Sequence, residues 1–338
     1  MVIILTGLVA LASQLAFAIN SDATSASKST ACSDHGVYRV SIDGDGRHLW
    51  VYRPREGIVR MQLATCEIEQ SLPLSGKVIS TVAHSRDGAT TLLCGLDGTA
   101  VMFREGQDVE IAEIGNSSQM IVDAAVSHDG SVSLCITSTG RVLGWKREGS
   151  EVRNFTYDLP VGSVVVRTGL NSAGTQMYVA RNDGMVTFHA PETGLSAGYK
   201  LHVNEQWRAG CECTTFAWSD DERQFGLATS AGRVRVYELA TGRVICEGSV
   251  QNAFPTTRPT TMAISPDGER LAVATNTSTV ISLWDLKSGE PTACLHGHDG
   301  IVRTLQFSPK SEMLYSGSYD GTIREWSMHS NTQLRILE

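Results

Sequence analysis

Residues 296–326 read HGHDGIVRTLQFSPKSEMLYSGSYDGTIREW. Short apolar runs alternate here with tight-turn signals. IVRTLQF leads into SPKSE, MLYSGS leads into YDG, and TIREW ends on an aromatic. Asp-Gly pairs permit the positive φ that tight hairpins require. Short runs rich in β-branched and aromatic side chains are strand-like. The stretch therefore predicts three antiparallel strands joined by two hairpins.

Outward from it, the same order recurs along the chain. Clear first turns are IDGDGRHL at 42–49, SRDGATTL at 85–92, SHDGSVSL at 127–134 and SPDGERLAV at 265–273. Weaker versions are NSAGTQMYV at 171–179, SDDERQFGL at 219–227 and SPKSEMLY at 308–315. The equivalent position is Gly46, Gly88, Gly130, Gly174, Glu222, Gly268 and Ser311, at steps of 42, 42, 44, 48, 46 and 43. A second marker keeps the same period: Gly57, Gly98, Gly140, Gly184, Gly232, Thr279 and Gly321. Five residues beyond it lie Phe103, Trp145, Tyr237, Trp284 and Trp326, with Gln62 and His189 in the first and fourth units. Two independent markers in step over seven units define an internal repeat. Each unit reads as a small antiparallel sheet of about four strands. A lone sheet of that size cannot bury both faces, but stacking the units radially buries each against the next. The expected fold is all-β, a seven-bladed β-propeller of four-stranded antiparallel blades over 37–338.

The last two units resemble WD repeats. ISLWD at 281–285, Gly297-His298, Phe307-Ser308-Pro309, Ser316-Gly317-Ser318 and Asp320-Gly321 before Trp326 carry the resemblance. The repeat pattern covers about 37–338, but the full motif set stands only in the final unit. In that family a His, a Ser or Thr, an Asp and a Trp form a buried hydrogen-bonded network within a blade. The resemblance assigns these roles to His298, Ser316, Asp320 and Trp326. It also implies a non-catalytic platform for protein partners, with no cofactor. The final unit brings its own outer strand near Gln333–Leu337 and the first looks complete from Val37, so the ring is expected to close by packing and by edges that the pattern does not identify.

Composition narrows the function. With 19% charged and 41% apolar residues, the 338-residue chain is globular. Its net charge is −8 and its Lys and Arg are scattered, which argues against a nucleic-acid partner. The first 19 residues, MVIILTGLVALASQLAFAI, carry no charge and are followed by a polar linker over 20–36. The segment matches a signal peptide except for the missing positive n-region, and it also lies at the short end of a membrane anchor. On that reading the protein is exported or membrane-anchored, and membrane association runs through this segment alone. If the segment is neither, the protein is cytoplasmic. Of eight cysteines, Cys94, Cys135, Cys246 and Cys294 sit in strand-like runs and read as buried hydrophobes. Cys211 and Cys213 form the one close pair, without a second pair at zinc-site spacing.

Three local motifs suggest chemistry and are outweighed by their context. Gly194-Leu195-Ser196-Ala197-Gly198 matches a hydrolase nucleophile pattern, but a strand follows where that chemistry needs a helix. His296-x-His298 has no third metal ligand nearby. Asp43-Gly44-Asp45-Gly46 lacks the later ligands of a calcium loop. No metal, catalytic or cofactor residue is assigned. The expected partner surface is the pair of long connections into the fifth and sixth units, HVNEQWRAGCECT at 202–214 and SVQNAFPTTRPT at 249–260. These bring Trp207, Arg208, Phe254 and Arg258 to one face, and Trp and Arg dominate interface energetics. The expected function is a monomeric scaffold for protein partners. The rival is a propeller enzyme or small-molecule sensor, such as a lactone hydrolase, which would gather Asp, Glu, His or Arg around the axial channel.

Overall fold

The computed structural model describes residues 36–54, 56–72, 79–86, 88–104, 107–109, 119–149, 151–160, 162–202, 212–219, 222–250 and 257–337. The segment expected to be a signal peptide or anchor lies outside these residues. Within them, seven four-stranded antiparallel sheets follow one another in chain order and stand as blades in a ring. The protein is a seven-bladed β-propeller. Blade 7 is typical: an inner strand Val302–Phe307, then Met313–Ser318, Ile323–Ser327 and an outer strand Thr332–Leu337. The first strand of blade 1 is Arg39–Ile42.

Burial explains why these sequences form blades. The second strands Thr90–Gly95 and Val132–Thr137 are buried at every position, because a neighbouring blade covers each face. The outer strand Glu151–Asp158 is exposed along most of its length. The apolar core is divided into seven clusters, and each lies between two successive blades. Between blades 1 and 2, for example, Trp50, Tyr52 and Ile58 meet Ile79, Val82 and Leu93. Each fully buried aliphatic or aromatic side chain contributes about 1.5–3 kcal/mol.

All seven first-turn positions adopt a left-handed backbone: φ is 71° at Gly46, 71° at Gly88, 66° at Gly130, 66° at Gly174, 60° at Glu222, 71° at Gly268 and 59° at Ser311. That conformation costs a residue with a Cβ about 1–2 kcal/mol. The two residues that bear the cost are also tied to the preceding blade. The Glu222 carboxylate accepts the Ser172 N–H, and the Ser311 hydroxyl accepts the Asp267 N–H at 3.1 Å. Backbone bonds link other first turns in the same way. Gly44 N–H donates to Arg86 C=O, Arg86 N–H to His128 C=O at 3.0 Å, and His128 N–H to Ser172 C=O at 3.1 Å. Turn-to-turn bonds therefore link the first turns of blades 1 to 5 in series and those of blades 6 and 7.

The strand register corrects one expectation. Leu49 pairs with Met61 just as Leu314 pairs with Trp326 and Leu271 with Trp284. Met61, not Gln62, therefore fills the aromatic position in blade 1. It is buried in the cluster that joins blade 1 to blade 7. The second-turn glycine of this blade, Gly57, already belongs to the third strand, so counting five residues from it overshoots by one. Burial corrects another: Cys94, Cys135 and Cys246 are buried, but Cys294, on the outer strand Pro291–Leu295, is exposed.

Blades 1 and 7 each keep all four of their own strands, so the ring closes without sharing one. Val37, Val40, Leu49 and Met61 of blade 1 pack on Tyr315, Ile323 and Leu337 of blade 7. Val37 N–H donates to Ser318 C=O at 2.9 Å. Thr304 Oγ1 accepts from Val40 N–H at 3.2 Å and donates to Val40 C=O at 3.3 Å. The Arg335 guanidinium reaches Leu63 C=O at 2.7 Å.

Glycine matters at the turns in proportion to how tightly the next blade sits. A Cβ on Gly130 would lie 2.5 Å from Thr90 Oγ1. Gly130→Ala is expected to lower unfolding free energy by about 1–3 kcal/mol. Ser311→Gly relieves a left-handed residue but loses its bond to Asp267, so its change is expected to stay within about 1 kcal/mol. Urea melts of the two variants measure the contrast.

Candidate functional site

Three regions of the ring offer chemistry: a polar chain inside blade 7, a cleft between blades 4 and 5, and the axial channel. In blade 7, His298 precedes the inner strand, Ser316 lies on the second, Asp320 lies in the following turn and Trp326 lies on the third. Trp326 Nε1–H donates to Ser316 Oγ at 2.8 Å. Ser316 Oγ lies 2.7 Å from His298 Nε2, and His298 Nδ1 lies 2.7 Å from Asp320 Oδ2. The chain is consistent if Ser316 donates to Nε2 and Nδ1–H donates to the carboxylate. Thr322 adds its hydroxyl at 2.7 Å and its N–H at 2.8 Å to Asp320 Oδ1. Burial would push the Asp320 carboxyl up, but the bonds from His298 and Thr322 outweigh it and hold it well below the usual carboxylate range.

A Ser, a His and an Asp in line are also the parts of a hydrolytic triad. Here Ser316 is 0% exposed and its oxygen already accepts the indole N–H, so no substrate reaches it. The chain locks the blade. Other blades do without it. Trp284 Nε1 in blade 6 is buried with no hydrogen-bond partner among the described residues. In blade 4, His189 takes the aromatic position and bonds its own blade instead, with Nε2 2.8 Å from Thr187 Oγ1 and Nδ1 3.0 Å from Gly194 C=O. The Gly-x-Ser-x-Gly pattern is the turn into the outer strand Ser196–His202 and has no helix behind it.

Asp43, Asp45 and His48 have ligand atoms within 4.8 Å of one another. Those atoms already serve the first turn of blade 1. Asp43 Oδ1 accepts the N–H groups of Arg47 and His48, both at 3.1 Å, and Oδ2 lies 2.6 Å from His48 Nδ1. The Arg60 guanidinium, 4.0 Å from Asp43 Oδ2, supplies the cation there.

Of the residues expected at the partner surface, Trp207, Arg208 and Phe254 lie outside the described residues. Arg258 is exposed, and its backbone is pinned to Asn276 by an N–H to Oδ1 bond of 2.6 Å and a C=O accepting from N–H at 2.9 Å. Antiparallel meanders put the connections between blades at the end of the ring opposite the first turns.

At the opposite end, a cleft of about 680 Å³ opens between blades 4 and 5. Tyr178, Phe188 and Trp218 line it, with the Trp218 ring 3.7 Å from Tyr178 and 6.2 Å from Phe188. Trp218 Nε1 is buried there with no partner among the described residues. Sequence periodicity places these residues on strands, but not that blades 4 and 5 part at this point.

The axial channel holds about 380 Å³ and is lined by all seven inner strands. Its wall contains Arg39, His84, Asp123, Arg167 and Arg303. Asp123 accepts from Thr81 Oγ1 at 3.1 Å, Arg167 Nη1 at 3.3 Å and Thr168 N–H at 3.0 Å. Burial, then the charge of Arg39, lowers His84 to about 4, so it is neutral at pH 7. Burial and the neighbouring Arg167 lower Arg39 to about 10, and it stays a cation at pH 7.

The geometry defines a rigid repeat ring with loops at one end and an open axis. Comparison with known proteins then specifies the repeat. The WD domain, G-beta repeat model matches residues 289–327. The guanine nucleotide-binding protein subunit beta of Zea mays is 23% identical over 320 residues, covering 87% of this chain and 78% of that protein. The SIR4-interacting protein SIF2 of Saccharomyces cerevisiae is 22% identical over 239 residues, 67% of this chain and 42% of that protein. The Neurospora crassa periodic tryptophan protein 2 homolog is 40% identical over 72 residues, which span 21% of this chain and 8% of that relative. The crystal structure of the Cps50 (Swd1) β-propeller domain of Myceliophteria thermophila shares the fold. Its TM-score is 0.72 at 15% identity, covering 87% of this chain and 97% of that one. This chain is a seven-bladed β-propeller whose residues 289–327 match the WD, G-beta repeat.

Two stability outcomes follow from the blade 7 chain. Ser316→Ala leaves a buried indole N–H and an imidazole nitrogen unpaired and is expected to cost about 2–4 kcal/mol; Trp326→Phe, which removes the donor, leaves that chain otherwise satisfied. Because the folded Asp320 carboxyl is depressed, its contribution is full above the unfolded value of about 3.9 and falls away as pH drops toward the folded value. The penalty of Asp320→Asn, followed by thermal melts, is therefore expected to be largest at neutral pH and to shrink below about pH 4.

Proposed function

We propose that this protein is a non-catalytic scaffold that holds protein partners on the end of the ring carrying the connections 202–214 and 249–260. One observation carries the reading. The blade framework repeats closely, with the same left-handed turn in every unit, while length varies in these connections. Function on a rigid repeat fold resides in such loops. Trp207, Arg208, Phe254 and Arg258 are the anchors, since large aromatics and Arg supply most interface energy. Two relatives support the reading by name, one a subunit and one an interacting protein. The non-catalytic half rests on Asp123, the one carboxylate among the described channel-lining residues, which already accepts from three donors.

The test is affinity capture from the native host with full-length tagged protein, after soluble, membrane and exported fractions are separated. Wild type is expected to retain a defined protein partner. The triple variant Trp207→Ala, Phe254→Ala, Arg258→Ala is expected to lose most of it while keeping the wild-type melting temperature. Undiminished capture by a folded triple variant would move the partner to another surface, the cleft between blades 4 and 5 first.

A further inference from the structure

Each inner strand carries one residue at the same step before its first turn, and five of the seven, Arg39, Asp123, Arg167, Thr261 and Thr304, line the channel. Seven positions before each left-handed first-turn residue stand Arg39, Thr81, Asp123, Arg167, Thr215, Thr261 and Thr304. Threonine is the usual occupant, and at two of the four positions it ties neighbouring blades together. Thr304 exchanges two bonds with the Val40 backbone, and Thr81 donates to Asp123. Blades 1, 3 and 4 depart from this, with two guanidiniums and one carboxylate.

Asp123 neutralises one cation, Arg167 at 3.3 Å. The Arg39 guanidinium has no side-chain hydrogen bond and no ion pair among the described residues; it shares the attraction of the same Asp123 carboxylate and lies close enough to Arg167 for the two cations to disfavour each other. A third guanidinium, Arg303, lines the same cavity one residue away from this ring. Its carbon sits 5.1 Å over the Tyr319 ring, and its Nε is buried without a partner among the described residues. Three guanidiniums thus face a cavity of about 380 Å³ that holds one carboxylate, in a chain whose net charge is −8. Concentrated positive charge at the axis opposes folding unless something compensates it. Threonine at Arg39 would avoid that cost, as it does in four other blades.

We propose that the axial channel is a binding site for a small oxyanion, a carboxylate or a phosphate, held between Arg39 and Arg167 with Arg303 alongside. Planar guanidinium forks match both anions in bidentate geometry. The low-dielectric walls of a narrow channel strengthen the attraction and focus it. Ser41 and His84, paired at 2.5 Å in the same wall, add neutral polar groups. The site lies on the axis rather than on the loop-bearing end, so it stands or falls apart from the scaffold reading.

The experiment is calorimetric titration of the purified full-length protein with inorganic phosphate and, separately, with citrate, at ionic strength held constant with sodium chloride. Saturable binding of one anion per chain is expected, and which probe binds more tightly tells a phosphoryl ligand from a carboxylate. Arg39→Gln and Arg167→Gln are each expected to weaken binding at least tenfold, whereas Arg153→Gln, on an exposed outer strand, leaves it unchanged. Arg39→Lys, which keeps the charge but loses the fork, serves if Arg39→Gln does not fold, and is expected to weaken binding. No binding of either anion to the wild type beyond the chloride control overturns the proposal. So does wild-type affinity in a folded Arg39 variant.

Discussion

Each blade of this protein has two apolar faces, and neither can be buried within the blade. That constraint organises the rest of the molecule. The seven clusters of the core lie between blades and not within them, so no blade is complete until its neighbours are in place. Stability is then a sum of blade terms and interface terms, with one additional interface where the ring closes. Here closure relies on Val37, Val40, Leu49 and Met61 against Tyr315, Ile323 and Leu337, secured by Thr304 and Arg335. Among the described residues, no strand crosses from one end of the chain to complete the other end's blade.

Uniform packing releases individual positions from a uniform sequence. Once both faces of a blade are covered, the polar chain of His298, Ser316, Asp320 and Trp326 is one way to fix it, and apolar contact is another. The Trp284 indole, without a partner among the described residues, and the self-contained bonds of His189 point to blades fixed by other means. The left-handed turn is stricter, since all seven units adopt it. Glu222 and Ser311 adopt that backbone without being glycine, and each bonds the preceding blade through its side chain.

The same packing creates a place where departures from the repeat accumulate. The channel wall takes residues from every blade, so three substitutions far apart in the chain become neighbours. Arg39, Asp123 and Arg167 meet in this way, while threonine at the other four positions marks what the repeat uses when nothing else is required. The cleft beside Trp218 likewise takes its walls from residues of neighbouring blades.

By itself, the sequence determined the number of blades, the position of every first turn and the residues of the blade 7 chain, because hairpins and strand periodicity are local and leave their marks within a few residues. It read His189 as a departure without showing its bonds, and it misplaced the aromatic position of blade 1 by one residue, because Gly57 had moved into the third strand. Only the tertiary structure decided how the ring closes, where blades 4 and 5 part and which charges meet on the axis. Those features depend on contacts between residues a whole repeat or more apart, and such contacts leave no periodic trace in the chain.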